Sequence, residues 1–98
     1  MSTTSSKPPS AEILAIGTEL LLGETSDSNT REIARRLRHV GLDLYRTAMV
    51  GDNVDRIAAA LRESFARAAS VVITTGGLGP TVDDPTREAA ALALDTSL

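Results

Sequence analysis

The sequence predicts an α/β domain in which a parallel sheet lies between two layers of helices. Two observations carry this prediction. Short apolar runs typical of buried strands alternate with longer segments of helical periodicity, and a glycine follows each run. Strands that alternate with helices are joined by right-handed crossovers, which make the strands parallel and place the helices on the faces of the sheet.

Three segments are predicted as strands: residues 13–16, 42–50 and 70–75. The first is a continuous apolar run ending at Gly17, the pattern of a strand buried on both faces. The second alternates and puts four apolar residues in phase: Leu42, Leu44, Ala48 and Val50. The third contains a β-branched run. The Leu20–Leu22 segment between the first strand and the first helix is interpreted as a tight apolar corner.

Helical periodicity marks three further segments. The first helix begins at Asp27 or Ser28, either of which can cap it, and ends before Gly41. His39 in its last turn complements the helix dipole, and its exposed face carries Arg31, Arg35 and Arg38. The second helix has the strongest apolar period in the chain: Val54, Ile57, Ala58, Leu61, Phe65 and Ala68. The third runs from Pro85 to about Leu94.

Composition restricts the class of protein. The chain has 98 residues, a net charge of −3 and two aromatic side chains, so it lacks the basic excess and stacking rings of a nucleic-acid binder. No apolar run is long enough to span a membrane. Because the sequence has no cysteine, disulfides and thiolate catalysis are excluded. Residues 1–10 are predicted as a disordered leader without a secretory signal, which favours a cytoplasmic protein.

Three predicted strands make a small sheet for this class of fold. A parallel sheet needs both faces covered and its edges protected, and no fourth strand follows the third helix. Residues 11–98 are therefore expected to be the N-terminal part of a larger domain, or a domain that a partner chain completes. Open sheet edges also favour a homo-oligomer.

A glycine-rich loop after the third strand is the first candidate site. Gly76, Gly77 and Gly79 allow positive φ and a close approach of main-chain N–H groups to a ligand, and Thr81 adds a hydroxyl donor. The helix that follows adds the positive end of its dipole, which suits a phosphate. The loop lacks the Gly-Lys-Ser/Thr of a P-loop and the third small residue of a dinucleotide fingerprint. A plain strand-to-helix turn is the alternative.

Carboxylates accompany glycine at the end of each predicted strand. Glu19 follows Gly17, Asp52 follows the second strand, and Asp83 and Asp84 close the glycine loop. In open α/β sheets, ligands bind beyond the carboxyl ends of the strands. Two acidic residues beside an anion site favour a hard divalent cation such as Mg²⁺.

Each of these carboxylates also has a structural interpretation. Asp84 can cap the third helix, which begins at Pro85, and Asp52 can cap the second helix, which begins near Val54. Glu19 lies beside an apolar segment and is expected to need a backbone amide or a ligand as partner. No Ser/His/Asp arrangement can be assembled around the single histidine, His39.

Three motifs in order resemble the N-terminal domain of the CinA family (competence/damage-inducible proteins), within the MoaB/Mog-like molybdopterin-binding superfamily. They are AEILAIGTELLLG at residues 11–23, VGDN at 50–53 and TTGGLGPTVDDPT at 74–86. Leu78 favours the CinA branch, since the molybdopterin branch usually has Thr there. Asp27-Ser28-Asn29 and Pro85 depart from the CinA pattern.

The resemblance implies a three-layer αβα fold, incomplete in this chain, whose glycine loop receives the phosphate of a nucleotide or pterin. Gly17 and Glu19 would belong to the same ligand site. In the molybdopterin branch two aspartates act in adenylyl transfer, and their positions fall on Asp52 and Asp84. The CinA branch implies hydrolysis of ADP-ribose that depends on a divalent metal. Asp83 and Asp84, the acidic pair at the glycine loop, are the expected ligands of that metal, Mg²⁺ or Co²⁺.

Two other functions stay open. The domain can be a non-catalytic molybdopterin- or nucleotide-binding module, or an inactive fragment. CinA proteins commonly carry a C-terminal nicotinamide-nucleotide amidase domain, to which no residue of this sequence corresponds, so that activity is not carried over. No organic cofactor, nucleic acid or membrane partner is expected.

Overall fold

A parallel sheet of three strands organises the part of the chain that the structure, a computed structural model, describes: residues 9–23, 28–76 and 85–95. β1 (Ser10–Ile16) lies at the centre, between β2 (Asp43–Val50) and β3 (Val71–Thr75). Both pairings are parallel, which confirms the predicted α/β fold. The helices in the described ranges are α1 (Thr18–Leu21), α2 (Ser28–His39), α3 (Val54–Ala66) and α4 (Pro85–Ala93).

β1 is buried on both faces, as its continuous apolar run predicts. Leu14 and Ile16 pack against α3 and α4, together with Ile57, Ala58, Leu61 and Ala89. Ala11 and Ile13 lie on the other face, where they pack with Leu37 of α2. Burial of each large aliphatic side chain stabilises the fold by about 1.5–3 kcal/mol. The sheet is therefore the middle of three layers.

The prediction that one face of β2 carries all four of its apolar residues is wrong. Ala11 pairs with Leu44 but Glu12 pairs with Arg46, so Tyr45 is an extra residue in the strand. Such a bulge reverses which side chains point to which face. Leu42 and Leu44 consequently join the cluster under α2, whereas Ala48 and Val50 join the cluster under α3.

The ends of two helices test the local predictions. The Leu42 N–H donates to the Leu37 carbonyl and the Gly41 N–H to the Arg38 carbonyl, with φ of +81° at Gly41. This is the Schellman motif, so the predicted role of Gly41 is confirmed. The predicted corner at Leu20–Leu22 overlaps α1, a single helical turn that ends at Leu21. No helix within the described ranges is long and apolar enough to cross a membrane.

An ion pair between the buried Glu12 carboxylate and the partly exposed Arg67 guanidinium lies at the amino edge of the sheet, where the strands begin. Glu12 on β1 is 1% exposed and receives two hydrogen bonds from the Arg67 guanidinium, at 2.9 Å to Oε2 and 2.6 Å to Oε1. The buried Ser64 hydroxyl donates to Oε1 at 2.7 Å. Arg67 holds the pKa of the Glu12 carboxyl below its ordinary value, and Ser64 adds to this lowering, although burial acts in the opposite direction.

Glu12→Gln should lower the free energy of unfolding by about 2 kcal/mol at pH 7, because it removes the charge that these hydrogen bonds satisfy. A carboxyl whose pKa is lowered on folding stabilises the protein above its unfolded-state pKa, and this contribution disappears as the pH falls through the folded-state value. The difference between the parent and the variant should therefore shrink below about pH 4. Urea titrations across pH measure both effects.

Glu32→Gln is the matched control. Glu32 pairs with Arg35 and Arg36 on the exposed side of α2, at 3.6 and 3.0 Å. Exposed pairs of this kind contribute about 0–1 kcal/mol. Equal losses in the two variants, or a gap between Glu12→Gln and the parent that does not change with pH, would contradict the role given to Glu12.

Candidate functional site

Three glycine turns meet at the carboxyl edge of the sheet, where β1, β2 and β3 end. Gly17 follows β1, Gly51 follows β2 and Gly76 follows β3. Because β1 is central, its turn lies between the other two. The Gly17 N–H donates to the Val50 carbonyl at 2.9 Å, which extends the β1–β2 pairing into the turn. The predicted coincidence of these turns at one edge is confirmed.

The turns after β1 and β2 are joined by two reciprocal hydrogen bonds. The Asp52 N–H donates to Thr18 Oγ1 at 3.2 Å, and the Thr18 N–H donates to Asp52 Oδ2 at 3.4 Å. α3 is capped by the neighbouring residue, since Asn53 Oδ1 accepts from the Arg56 N–H at 3.0 Å. Of the two interpretations of Asp52, the helix cap is therefore wrong.

Glu19 lies over the end of the central strand. A Cβ at Gly17 would lie 2.7 Å from Glu19 Oε2, so glycine leaves room for this carboxylate. Glu19 is exposed, and no described residue forms a hydrogen bond with it. The adjacent Leu21 and Leu22 are exposed as well. The expected partner of Glu19, a backbone amide or a ligand, stays a prediction.

Gly76 begins the glycine loop in a conformation that other residues rarely adopt. Its φ is +80°, and a Cβ there would collide with the main-chain carbonyl oxygen of Ile16. The loop therefore leaves β3 in direct contact with the main chain of β1. The Gly76 carbonyl accepts a hydrogen bond from Thr86 Oγ1 at 2.9 Å, which ties the start of the loop to the first turn of α4.

Sequence reasoning missed Thr86. This side chain is 4% exposed, and its hydroxyl reaches back ten residues to Gly76. A threonine in the first turn of an amphipathic helix is an ordinary N-terminal residue, so the local pattern does not reveal this role. The glycine loop that begins ten residues before Thr86 is the feature of the sequence that could have indicated this hydrogen bond.

The structure brings together Gly17, Glu19, Asp52 and Gly76 of the predicted site residues. Gly77, Gly79, Thr81, Asp83 and Asp84 lie outside the described residues, and their roles stay predictions. Within the described ranges, no group of three or more His, Cys, Asp or Glu side chains has the arrangement of a metal site. Among the described residues at this edge, Asp52 and Glu19 have carboxylates that can serve as metal ligands.

A second opening, of about 620 Å³, lies at the opposite, amino edge of the sheet. It is lined by Pro9, Ser10, Asp43, Tyr45 and the Glu12–Arg67 ion pair. The two charges neutralise each other there, and no buried polar side-chain atom among the described residues lacks a partner. The carboxyl edge, where an exposed carboxylate adjoins glycine turns, is therefore the better candidate site.

The fold and the carboxyl-edge site define a class of protein. The family model for a probable molybdopterin binding domain matches residues 12–98. The chain therefore belongs to this molybdopterin-binding domain family.

Within that family, the chain is similar to CinA-like proteins. It is 54% identical over 81 residues to one from Kosmotoga olearia and 56% identical over 87 residues to one from Parasynechococcus marenigrum. These alignments cover 83% and 89% of this chain but 19% and 20% of the relatives, so the chain spans about a fifth of their length. The resemblance carried by the three motifs is confirmed.

Solved structures show the same fold. The CinA protein of Thermoplasma acidophilum superimposes with a TM-score of 0.84 at 33% identity, over 92% of this chain and 53% of that one. The molybdopterin biosynthesis enzyme MoaB of Thermus thermophilus gives a TM-score of 0.77 at 25% identity, over 91% and 57% of the two chains. The predicted MoaB/Mog-like three-layer fold is confirmed.

Gly76→Ala should destabilise the protein by more than the cost of placing alanine at positive φ, because the new Cβ collides with the Ile16 carbonyl. Gly41→Ala is the matched control: its φ is +81°, and no atom lies within 4 Å of a Cβ there. The control should lose about 1–2 kcal/mol and Gly76→Ala clearly more, as measured by chemical denaturation. Equal losses would show that the close approach of the two strand ends is absent.

Thr86→Val should remove the hydrogen bond to Gly76 while keeping the shape of the side chain. The expected loss is about 1 kcal/mol in the free energy of unfolding, measured by urea titration. Thr86→Ser retains the hydroxyl and should restore the stability of the parent. If Thr86→Val were as stable as the parent, the tie between the loop and α4 would be refuted.

Proposed function

We propose that the carboxyl edge of the sheet binds a phosphorylated small molecule, a nucleotide or a pterin, and that this domain hydrolyses a nucleotide pyrophosphate such as ADP-ribose with a divalent metal. Hydrolysis adds water across the P–O–P bridge and gives AMP and ribose 5-phosphate. The main-chain amides of Gly76, Gly77 and Gly79 bind the phosphate, with a hydroxyl bond from Thr81.

The meeting of the three glycine turns around the end of β1 carries the proposal. β2 and β3 flank the central strand, so Asp52 and Gly76 are separated by about two strand spacings, ~10 Å. A compound with a phosphate at the glycine loop can therefore reach Asp52. Ligands of parallel α/β sheets bind at this position.

The carboxylate oxygens at this edge suit a divalent cation. Mg²⁺ is commonly held by one or two carboxylates together with phosphate oxygens of the substrate. Asp52 offers such a carboxylate: Oδ2 accepts from the Thr18 N–H, and Oδ1 has no partner among the described residues. Asp83 and Asp84 are the further proposed ligands. When bound, the metal would polarise a phosphoryl oxygen and lower the pKa of a water.

The chain's own residues supply orientation. Asp52 orients the attacking water, since it is exposed and its Oδ2 is held by the Thr18 N–H. Glu19, above the central turn, faces the same edge and favours a ligand that carries a cation or hydroxyl groups. The bound phosphate is held by main-chain N–H groups, which retain their polarity at every pH.

Similarity to two kinds of relatives keeps a second function in view. Identity is 54–56% to CinA-like proteins but 25% to MoaB, which favours the CinA-type hydrolysis. The likeness to MoaB instead favours a non-catalytic module that binds molybdopterin or a nucleotide. A cytoplasmic location and a homo-oligomer are further parts of this proposal.

Asp52→Asn should reduce metal-dependent hydrolysis of ADP-ribose by at least a hundredfold with little effect on folding. Asn keeps the shape of the side chain and the hydrogen bond from Thr18, but it removes the charge that orients water or metal. Release of AMP with Mg²⁺ or Co²⁺ is the assay, and calorimetry measures binding separately.

Asp43→Asn is the matched control, because Asp43 is an exposed aspartate at the other end of the same strand. It should retain full turnover. Binding of ADP-ribose without release of AMP would support the non-catalytic module. Equal turnover in Asp52→Asn and Asp43→Asn would remove Asp52 from the site.

A further inference from the structure

The hydrogen bonds between Thr18 and Asp52 do not cap α1, the helix to which Thr18 belongs. The cap of α1 is Gly17, and no side chain contributes a hydrogen bond to that cap. The Thr18 hydroxyl accepts a hydrogen bond from the Asp52 N–H, in the turn after β2. A Cβ on Gly51 would lie 3.5 Å from the same oxygen, so the two turns are close together.

These contacts have little value for stability. Thr18 and Asp52 are both exposed, so water competes for their hydrogen bonds and the net gain in the free energy of unfolding is small. α3 does not need Asp52 as a cap, since Asn53 occupies that role. The consequence of the reciprocal pair is instead geometric. One bond fixes the main chain of the β2 turn, and the other fixes one carboxylate oxygen.

We propose that Thr18 is a positioning residue: its hydroxyl fixes the main chain of Asp52, and this keeps the Asp52 carboxylate against the Thr18 N–H and directed toward the ligand at the carboxyl edge. This inference deepens the proposed function and rests on it. Threonine suits the role because β-branching restricts its χ1 angle, so the hydroxyl stays in place without a second support. A carboxylate fixed in advance avoids the entropy loss of orientation when the substrate binds.

The test uses Thr18→Val, which has the same shape without the hydroxyl, and Thr18→Ser, which keeps it. In the parent, the two Hα–Hβ couplings of Asp52 should differ, as in a single rotamer. Thr18→Val keeps the main-chain N–H but releases the main chain of Asp52, so the carboxylate is no longer presented to that N–H and the two couplings should become equal through averaging. The kcat for ADP-ribose with Mg²⁺ should fall about ten- to a hundredfold while KM changes less than threefold. Thr18→Ser should restore both readouts.

Thr47→Val, an exposed threonine within β2, is the control and should change neither readout. Unequal Asp52 couplings in Thr18→Val, or unchanged kcat in a variant whose couplings have averaged, would overturn the proposal. Absence of turnover in every variant, including the parent, would contradict the proposed hydrolysis. The couplings would then still decide whether Thr18 holds Asp52.

Discussion

The central position of β1 is the constraint on which the rest of the structure depends. Its apolar residues are buried on both faces, under α2 on one side and under α3 and α4 on the other. Parallel pairing with β2 and β3 then places the three strand ends at one edge. A change that moved β1 to an edge would expose its apolar residues and remove Gly17 and Glu19 from their place between Asp52 and the glycine loop.

The ion pair that stabilises the fold and the candidate site lie at opposite edges of this sheet. At the amino edge, Glu12 and Arg67 form an ion pair in which the two charges neutralise each other. The carboxyl edge carries exposed carboxylates and glycine turns, and main-chain atoms of neighbouring strands approach closely there, at Gly76 and Ile16. Such an edge offers N–H groups and charges to small molecules.

Local patterns in the sequence predicted the order of strands and helices, the Gly41 helix end and the shared edge of Gly17, Asp52 and Gly76. These features depend on neighbours along the chain, or on the general rule that parallel strands end together. The bulge at Tyr45 could not be predicted from the sequence, because register depends on the partner strand and not on β2 itself. The links from Glu12 to Arg67 and from Thr18 to Asp52 span 55 and 34 residues, and periodicity carries no information about such pairs.

Mapping of amide chemical shifts with inorganic pyrophosphate and Mg²⁺ tests the central claim most directly, since it locates a ligand without requiring turnover. The claim predicts that the largest shifts fall at Gly17, Thr18, Asp52 and Gly76, with little change around Arg67. The largest shifts at Ser10, Arg67 and Ser70 on the amino edge, with the carboxyl edge unaffected, would contradict it.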